Sequence, residues 1–324
     1  MPGAGARPAQ AGGAGELLGW IAALSAVSIW AGWSVATRGT LQAYGGRIAV
    51  PDIIALRFAV AGLITLPAAF SRLRSLARLG LPRALAGAAT GGFSFSLCNT
   101  GGLVFAPAAH GGALTPTLGA VFTACLAALL LGERLSRLRL AGLALILSGA
   151  AWLVGGAVAA DLPPSIFLGH LLFAGAAMQW SAYTIIVRGA RLGPVEALVL
   201  TCVGSAVLYL PFWLVLRGPA QLLAVPWTVL LVQAVLHGVL TQVLSVVLYN
   251  FGVTRLGAAR AALCGALVPP LVAVGATLFL DEPPRPDELP GLAALTVGVW
   301  LASRRTAVPT PPGSPPSRAR PSPR

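Results

Sequence analysis

Apolar residues run along this chain in ten blocks, broken by short stretches where arginine, proline and acidic residues collect. The blocks fall roughly at 17–37, 52–70, 84–105, 107–131, 140–159, 165–187, 195–216, 226–251, 256–280 and 288–303. Most approach the ~20 residues that carry a helix across ~30 Å of hydrocarbon. The pattern predicts an all-α membrane protein with ten transmembrane helices. The first block is longer than the 7–15 apolar residues of a signal-peptide core. A later segment also repeats it, so it is expected to stay in the fold. Residues 1–16, rich in Gly, Ala and Pro, and residues 304–324, rich in Pro, Ser and Arg, are expected to be disordered tails.

Composition points the same way. Of 324 residues, 56% are hydrophobic and only 10% charged, against about 25% in a soluble domain. The net charge of +13 would suggest nucleic acid in a soluble protein. Here the basic residues sit between apolar blocks, where they set membrane orientation, so lipid and not nucleic acid is the expected surrounding. With the N-terminus inside, sixteen of the 22 arginines fall on the inner side. Four, Arg38, Arg47, Arg217 and Arg285, fall outside, and Arg57 and Arg260 fall within blocks. The expected placement is the cytoplasmic membrane, multi-pass, with both termini cytoplasmic.

Every basic residue is arginine and lysine is absent. A P-loop needs its lysine, and Schiff-base chemistry on pyridoxal phosphate or retinal needs a lysine amine. This chain can therefore do neither itself. Cys98, Cys125, Cys202 and Cys264 lie inside apolar blocks without paired or zinc-like spacing. They read as small apolar side chains, and no metal or cofactor is expected.

The chain also matches itself. WAGWSVATRG at 30–39 meets WSAYTIIVRG at 180–189, a shift of 150 that pairs Trp30 with Trp180, Trp33 with Tyr183, Arg38 with Arg188 and Gly39 with Gly189. At a shift of 144, Asp52 meets Glu196 and Leu66-Pro67 meets Leu210-Pro211. At 149, Glu133 meets Glu282, Gly142 meets Gly291 and Gly149 meets Gly298. Each half holds five blocks, and an odd number turns the second half over relative to the first. The loop GERLSRLR carries three arginines, while its counterpart DEPPRPDE carries one against four acids. The expected architecture is two inverted five-helix repeats, 17–158 and 165–303, with a substrate site near the midplane between them.

These segments resemble the EamA family of the drug/metabolite transporter superfamily. The likeness rests on SIWAGWSVATRG, on Arg57-Phe58, on LLLGERLSRLRLAGLALILSG, and in the second half on GAARAALCGALVPPLVAVGATLFLDEPP and GLAALTVGVWL. It implies ten helices, cytoplasmic termini, and movement of small metabolites such as amino acids, often outward, by alternating access. Two departures stand out. Ala120 occupies the place of a common mid-helix proline, with Pro116 one turn earlier, while the second half has Pro269 and Pro270. The two halves are thus expected to bend differently. Asp281-Glu282 replaces a Gly-Glu pair.

Charge and polarity inside a span ask for a reason, since a central arginine costs roughly 2.5–3.5 kcal/mol on insertion scales. Arg57 is a candidate for a substrate carboxylate; the alternative is snorkelling or pairing with nearby Asp52. His237, mid-span, is the candidate for proton coupling, because histidine titrates near physiological pH. Asn99, His110, Gln179, Gln242, Asn250 and Trp30 complete the candidate substrate-binding set, each also suited to gluing helices together. Glu133 and Glu282 sit at block ends, where fixing a loop is their default role. The expected function is secondary transport of a small molecule by a monomer or homodimer. A membrane-embedded enzyme and a structural or sensory membrane subunit are the alternatives.

Overall fold

Helices form where the apolar blocks lie and overrun most of them by a few residues, since the flanking Ala, Leu and Arg are strong helix formers. The computed structural model describes residues 13–45 and 47–303, apart from the side chains of residues 258, 259 and 262. The first helices are α1 (Gly13–Tyr44) and α2 (Val50–Ala77), followed by α3 (81–105), α4 (Ala108–Leu131) and α5 (Arg137–Ala159). Then come α6 (Ser165–Gly189), α7 (Pro194–Leu216), α8 (Trp227–Leu256), α9 (258–280) and α10 (Leu289–Ser303). Among the described residues there is no strand. Eight helices are long and apolar enough to cross a membrane; α10 is apolar but has 15 residues. The expected N-terminal boundary at 17 lies inside α1, and the rest of both expected tails falls outside the described residues.

α3 and α8 share an irregularity. Each contains π-helical turns, at Ala89–Phe93 in α3 and Ala234–Leu244 in α8. In α3 this lets Gly92 press onto α7, where a Cβ would fall 1.8 Å from Ser205 Oγ. Ser205 stitches the turn, accepting from Phe93 N–H at 3.0 Å and donating to the Ala88 carbonyl at 3.0 Å. In α8, Gly238 presses onto α2 in the same way, against Val60.

Packing repeats between the halves. α1 lies on α8 as α6 lies on α3, and α1 on α9 as α6 on α4. α2 packs on α7 and α5 on α10, each helix against its own counterpart. Gly142 meets Gly298 and Gly149 meets Gly291 so closely that a Cβ on the first of each pair would sit 2.8 Å from the other's carbonyl oxygen. The sequence match pairs Gly142 with Gly291 and Gly149 with Gly298, so this crossing swaps equivalent positions, and α5 and α10 run antiparallel. Small residues let helices approach to backbone contact where lipid supplies no hydrophobic drive.

The halves do bend differently. α4 continues through Pro116, whereas α9 breaks after Gly265 and restarts at Val268 with Pro269 at its first turn. Proline fits there because a first-turn N–H has no helical acceptor. α4 ends on Gly132 with φ +68°, and the matching end of α9 is Asp281 with φ +53°. The left-handed conformation that glycine takes freely is thus imposed on an aspartate.

Candidate functional site

The deepest charge is Arg57, seven residues into α2 and so about 10 Å along it from the helix start. It is buried. Its Nε and Nη2 both donate to Gln242 Oε1 on α8, at 2.8 and 2.5 Å. Its guanidinium carbon lies 5.7 Å from the Trp33 ring and 5.8 Å from Phe58. Gln242 Nε2 in turn points to Cys202 Sγ on α7 at 3.7 Å. Four helices from both halves thus converge on one guanidinium.

Pairing with Asp52 does not occur. Asp52 is buried one turn nearer the helix start, where Arg217 and Trp213 hold it, Arg217 Nε at 3.0 Å and Trp213 Nε1 at 2.9 Å. Among the described residues no carboxylate lies within ion-pair distance of Arg57. The matching position at a shift of 144 is Thr201. The repeat preserves the packing but places this cation once.

His237 shares Trp33 with the guanidinium and is fully buried. Trp33 Nε1, which can only donate, points to His237 Nδ1 at 3.1 Å. Nδ1 must therefore be bare, leaving Nε2–H for Thr37 Oγ1 at 3.3 Å. Both nitrogens are engaged in the neutral ring. Trp30 donates to Ser245 at 2.8 Å and packs on Tyr249.

The other candidates are not brought to Arg57. Asn99 accepts from Thr115 at 2.8 Å and Gln179 donates to Cys98 Sγ at 3.1 Å, both between α3 and its neighbours α4 and α6. Asn250 folds onto its own helix at the Val246 carbonyl. His110 lies at the start of α4 against His170 and Glu288, two residues that sequence reasoning passed over. The signal for His170 was available, since it is one of only three histidines and sits in an apolar block.

Ion pairs close the two ends of the bundle. At the end where α1 finishes and α2 starts, Arg38 Nε donates to Glu282 at 2.9 Å. Gln42 and the Ala108 N–H also donate to Glu282, and Arg38 reaches the Leu103 carbonyl at 2.7 Å. At the opposite end Arg188 meets Glu133, with Arg139 at 3.9 Å, and Arg72 meets Glu196 at 3.0 Å. These are equivalent pairs. The sequence match takes Arg38 to Arg188, Glu282 to Glu133 and Asp52 to Glu196. Their burial is unequal: the Arg38 and Glu282 side chains are each 17% exposed, Arg188 and Glu133 43% and 32%. A cavity of about 310 Å³ opens at the first end, bordered by Ile166, Glu282, Arg285 and Glu288. An apolar groove of about 510 Å³ runs between α1 and α9. Neither touches Arg57.

Comparison with known proteins agrees with this duplicated layout. The model of the EamA-like transporter family matches the chain twice, at residues 17–155 and 167–304. A protein described as a probable terminal-alkyne amino-acid exporter, from Streptantibioticus cattleyicolor, is 29% identical over 289 residues, covering 89% of this chain and 93% of its own. A crystal structure of a protein 22% identical superposes with a TM-score of 0.56, covering 89% of this chain and 97% of that one. At that identity the likeness concerns the fold.

Proposed function

The chain belongs to the EamA-like transporter family, and on that basis we propose that it is a secondary carrier exporting small amino-acid-type metabolites across the cytoplasmic membrane by alternating access. In this reading all ten helices cross the bilayer as two inverted five-helix repeats, with both termini cytoplasmic. Lipid surrounds the bundle. The Arg38–Glu282 end faces outward, and the Arg188–Glu133 end faces the cytoplasm. Because both halves are fused in one chain, a monomer is sufficient for the cycle, and a homodimer would add no residue to the site.

The observation that carries the proposal is Arg57. A buried cation without a counter-ion is costly, and a carboxylate offers the planar, two-oxygen partner that a guanidinium binds best. Trp33 and Phe58 beside it favour a cargo with an apolar part. The amino-acid exporter among its relatives supports the cargo class and the outward direction.

The test is counterflow of a labelled amino-acid mixture in proteoliposomes. Losing a charge-assisted hydrogen bond of about 1.5–3 kcal/mol predicts a fall of about 10- to 150-fold in apparent affinity for Arg57→Gln. Arg57→Lys is expected to retain part of it. Amino-acid amides should compete poorly and N-acylated amino acids well. Wild-type transport by the Arg57→Gln protein would refute the assignment.

A further inference from the structure

His110 on α4, His170 on α6 and Glu288 just before α10 meet behind the cavity at the Arg38–Glu282 end. His110 Nδ1 lies 2.9 Å from His170 Nε2, with ring centroids 5.0 Å apart. His110 Nε2 lies 3.3 Å from Glu288 Oε1, within ion-pair reach but off the line of a hydrogen bond. Glu288 Oε2 accepts from the Arg285 N–H at 3.0 Å. All three side chains are buried, and His170 Nδ1 is buried with no partner.

Counting protons fixes the tautomers. Two ring nitrogens 2.9 Å apart share one hydrogen, because two lone pairs repel. A bare His110 Nε2 would turn its lone pair to the Glu288 carboxylate, so Nε2 carries a proton and Nδ1 accepts from His170 Nε2–H. His170 Nδ1 is then the bare nitrogen at the inner end of a chain that runs from Glu288 through His110. A proton added at Nδ1 makes the imidazole pair a cation facing one carboxylate.

Burial disfavours a charged imidazole here, and the surrounding charge offsets part of that cost. Arg285 is shared between Asp287 and Glu288, with Nε 3.0 Å from Asp287 Oδ1 and 3.9 Å from Glu288 Oε1. The group of Arg285, Asp287 and Glu288 therefore carries one net negative charge, which one proton cancels. The other charges at this end are Arg38 on α1, paired with Glu282, Asp52 on α2, paired with Arg217, and Arg47, Asp161 and Asp281 in loops. α5 contributes the Gly156 carbonyl, which accepts from Arg285 Nη2. Glu288 borders the cavity, giving water access to the chain's outer end. Burial would lift its carboxyl, but the nearby His110 ring and the Arg285 N–H and guanidinium outweigh this and hold it below the usual glutamate range. The added proton thus stays on the imidazoles.

We propose that Glu288, His110 and His170 form the proton-binding site of this carrier, taking up one proton per cycle at the end closed by Arg38–Glu282. This rests on the carrier reading above. The site joins α4 of the first half to α6 and α10 of the second, and Ala108, two residues from His110, donates to Glu282. Protonation therefore acts on helices that must part when this end opens.

Only three histidines occur in the chain, so the full-length protein labelled with ¹⁵N-histidine gives a resolvable spectrum in lipid nanodiscs. Two imidazoles should titrate together as one coupled group while His237 stays neutral. Glu288→Gln should move the shared midpoint down by a unit or more, and His170→Gln should uncouple His110. Independent titration of His110 and His170, or a midpoint indifferent to Glu288→Gln, overturns the proposal. In proteoliposomes actively exchanging labelled amino acids, His170→Gln should abolish accumulation driven by a pH gradient yet keep counterflow. Retained pH-driven accumulation also overturns it. If the wild type moves no amino acid while the coupled titration is present, the carrier reading fails and the proton site stands.

Discussion

Two equivalent ion pairs with unequal burial predict which end of the bundle is held shut, and replacing one glutamate at a time tests this. Glu282 accepts from Arg38 at 2.9 Å, Gln42 at 2.7 Å and the Ala108 N–H at 3.3 Å, tying α1, α4 and the α9–α10 loop together. Neutralising it in Glu282→Gln weakens charge-assisted bonds in a half-closed environment, worth about 2 kcal/mol together. Since 1.4 kcal/mol is tenfold, the population open at this end should rise about 30-fold. Glu133 serves Arg188 and Arg139 in the open, where such pairs are worth roughly 0.2–1 kcal/mol. Glu133→Gln should therefore change that population less than about fivefold, and downward, by loosening the opposite end.

Cys202 supplies the readout. It is fully buried and lies beside Gln242 and Arg57, so a membrane-impermeant maleimide reaches it only through an opened end. In a background lacking Cys98, Cys125 and Cys264, intact cells would be labelled from outside and the rate at Cys202 followed. When opening is fast relative to labelling, that rate follows the open population. The expected order is Glu282→Gln far above wild type, with Glu133→Gln at or below it. If Glu282→Gln labels no faster than wild type, or Glu133→Gln labels equally fast, unequal burial does not set the closed end.

Three further outcomes follow from the same geometry. Gly142→Leu places a side chain where a Cβ already lies 2.5 Å from the Ala302 backbone nitrogen, so overpacking of about 1–3 kcal/mol should appear as a lower unfolding temperature, with Gly155→Leu, which faces open space, as the silent control. Asp281→Gly relieves a left-handed aspartate and should raise stability by about 1 kcal/mol, measured by thermal unfolding in detergent. Glu288 is held below the usual glutamate range, so its contribution is present above about pH 4.3 and lost as the pH falls through its folded value; Glu288→Gln should flatten the dependence of unfolding temperature on pH below that point.

The helices were legible because most apolar blocks are close to the length of a span, and the boundaries moved mainly where Ala and Arg prolonged a helix. The duplication was legible from matches such as Arg38 with Arg188 and Glu133 with Glu282. Their pairing across the halves was not, because a self-match shows which positions are alike and not which ones touch. The π turns at Ala89–Phe93 and Ala234–Leu244 leave no trace in the apolar pattern, since one extra residue in a turn does not interrupt a block. Arg57 was singled out by the cost of its charge, and Asp52 was the natural partner by distance along the chain. The helix instead turns Asp52 to Trp213 and Arg217, which only the packing of α7 reveals. The histidine pair was hidden for the same reason, as His110 and His170 belong to different halves.

A carrier built from two matched halves needs unlike residues for one end state to be preferred over the other. Here the packing framework is kept alike, through glycine crossings and exchanged ion pairs, while the chemistry is not. Arg57 faces a threonine at its equivalent position, Asp281 replaces the glycine of the first copy, and the His110–His170–Glu288 chain sits at one end. Each of these three departures falls where cargo, proton or gate would act. The symmetric contacts make two end states of similar energy available. The asymmetric residues then decide, by a few kcal/mol, when each is occupied. Exchanging Glu282 and Glu133 for glutamine together should therefore return the outside labelling of Cys202 towards wild type, because the two losses oppose each other at opposite ends.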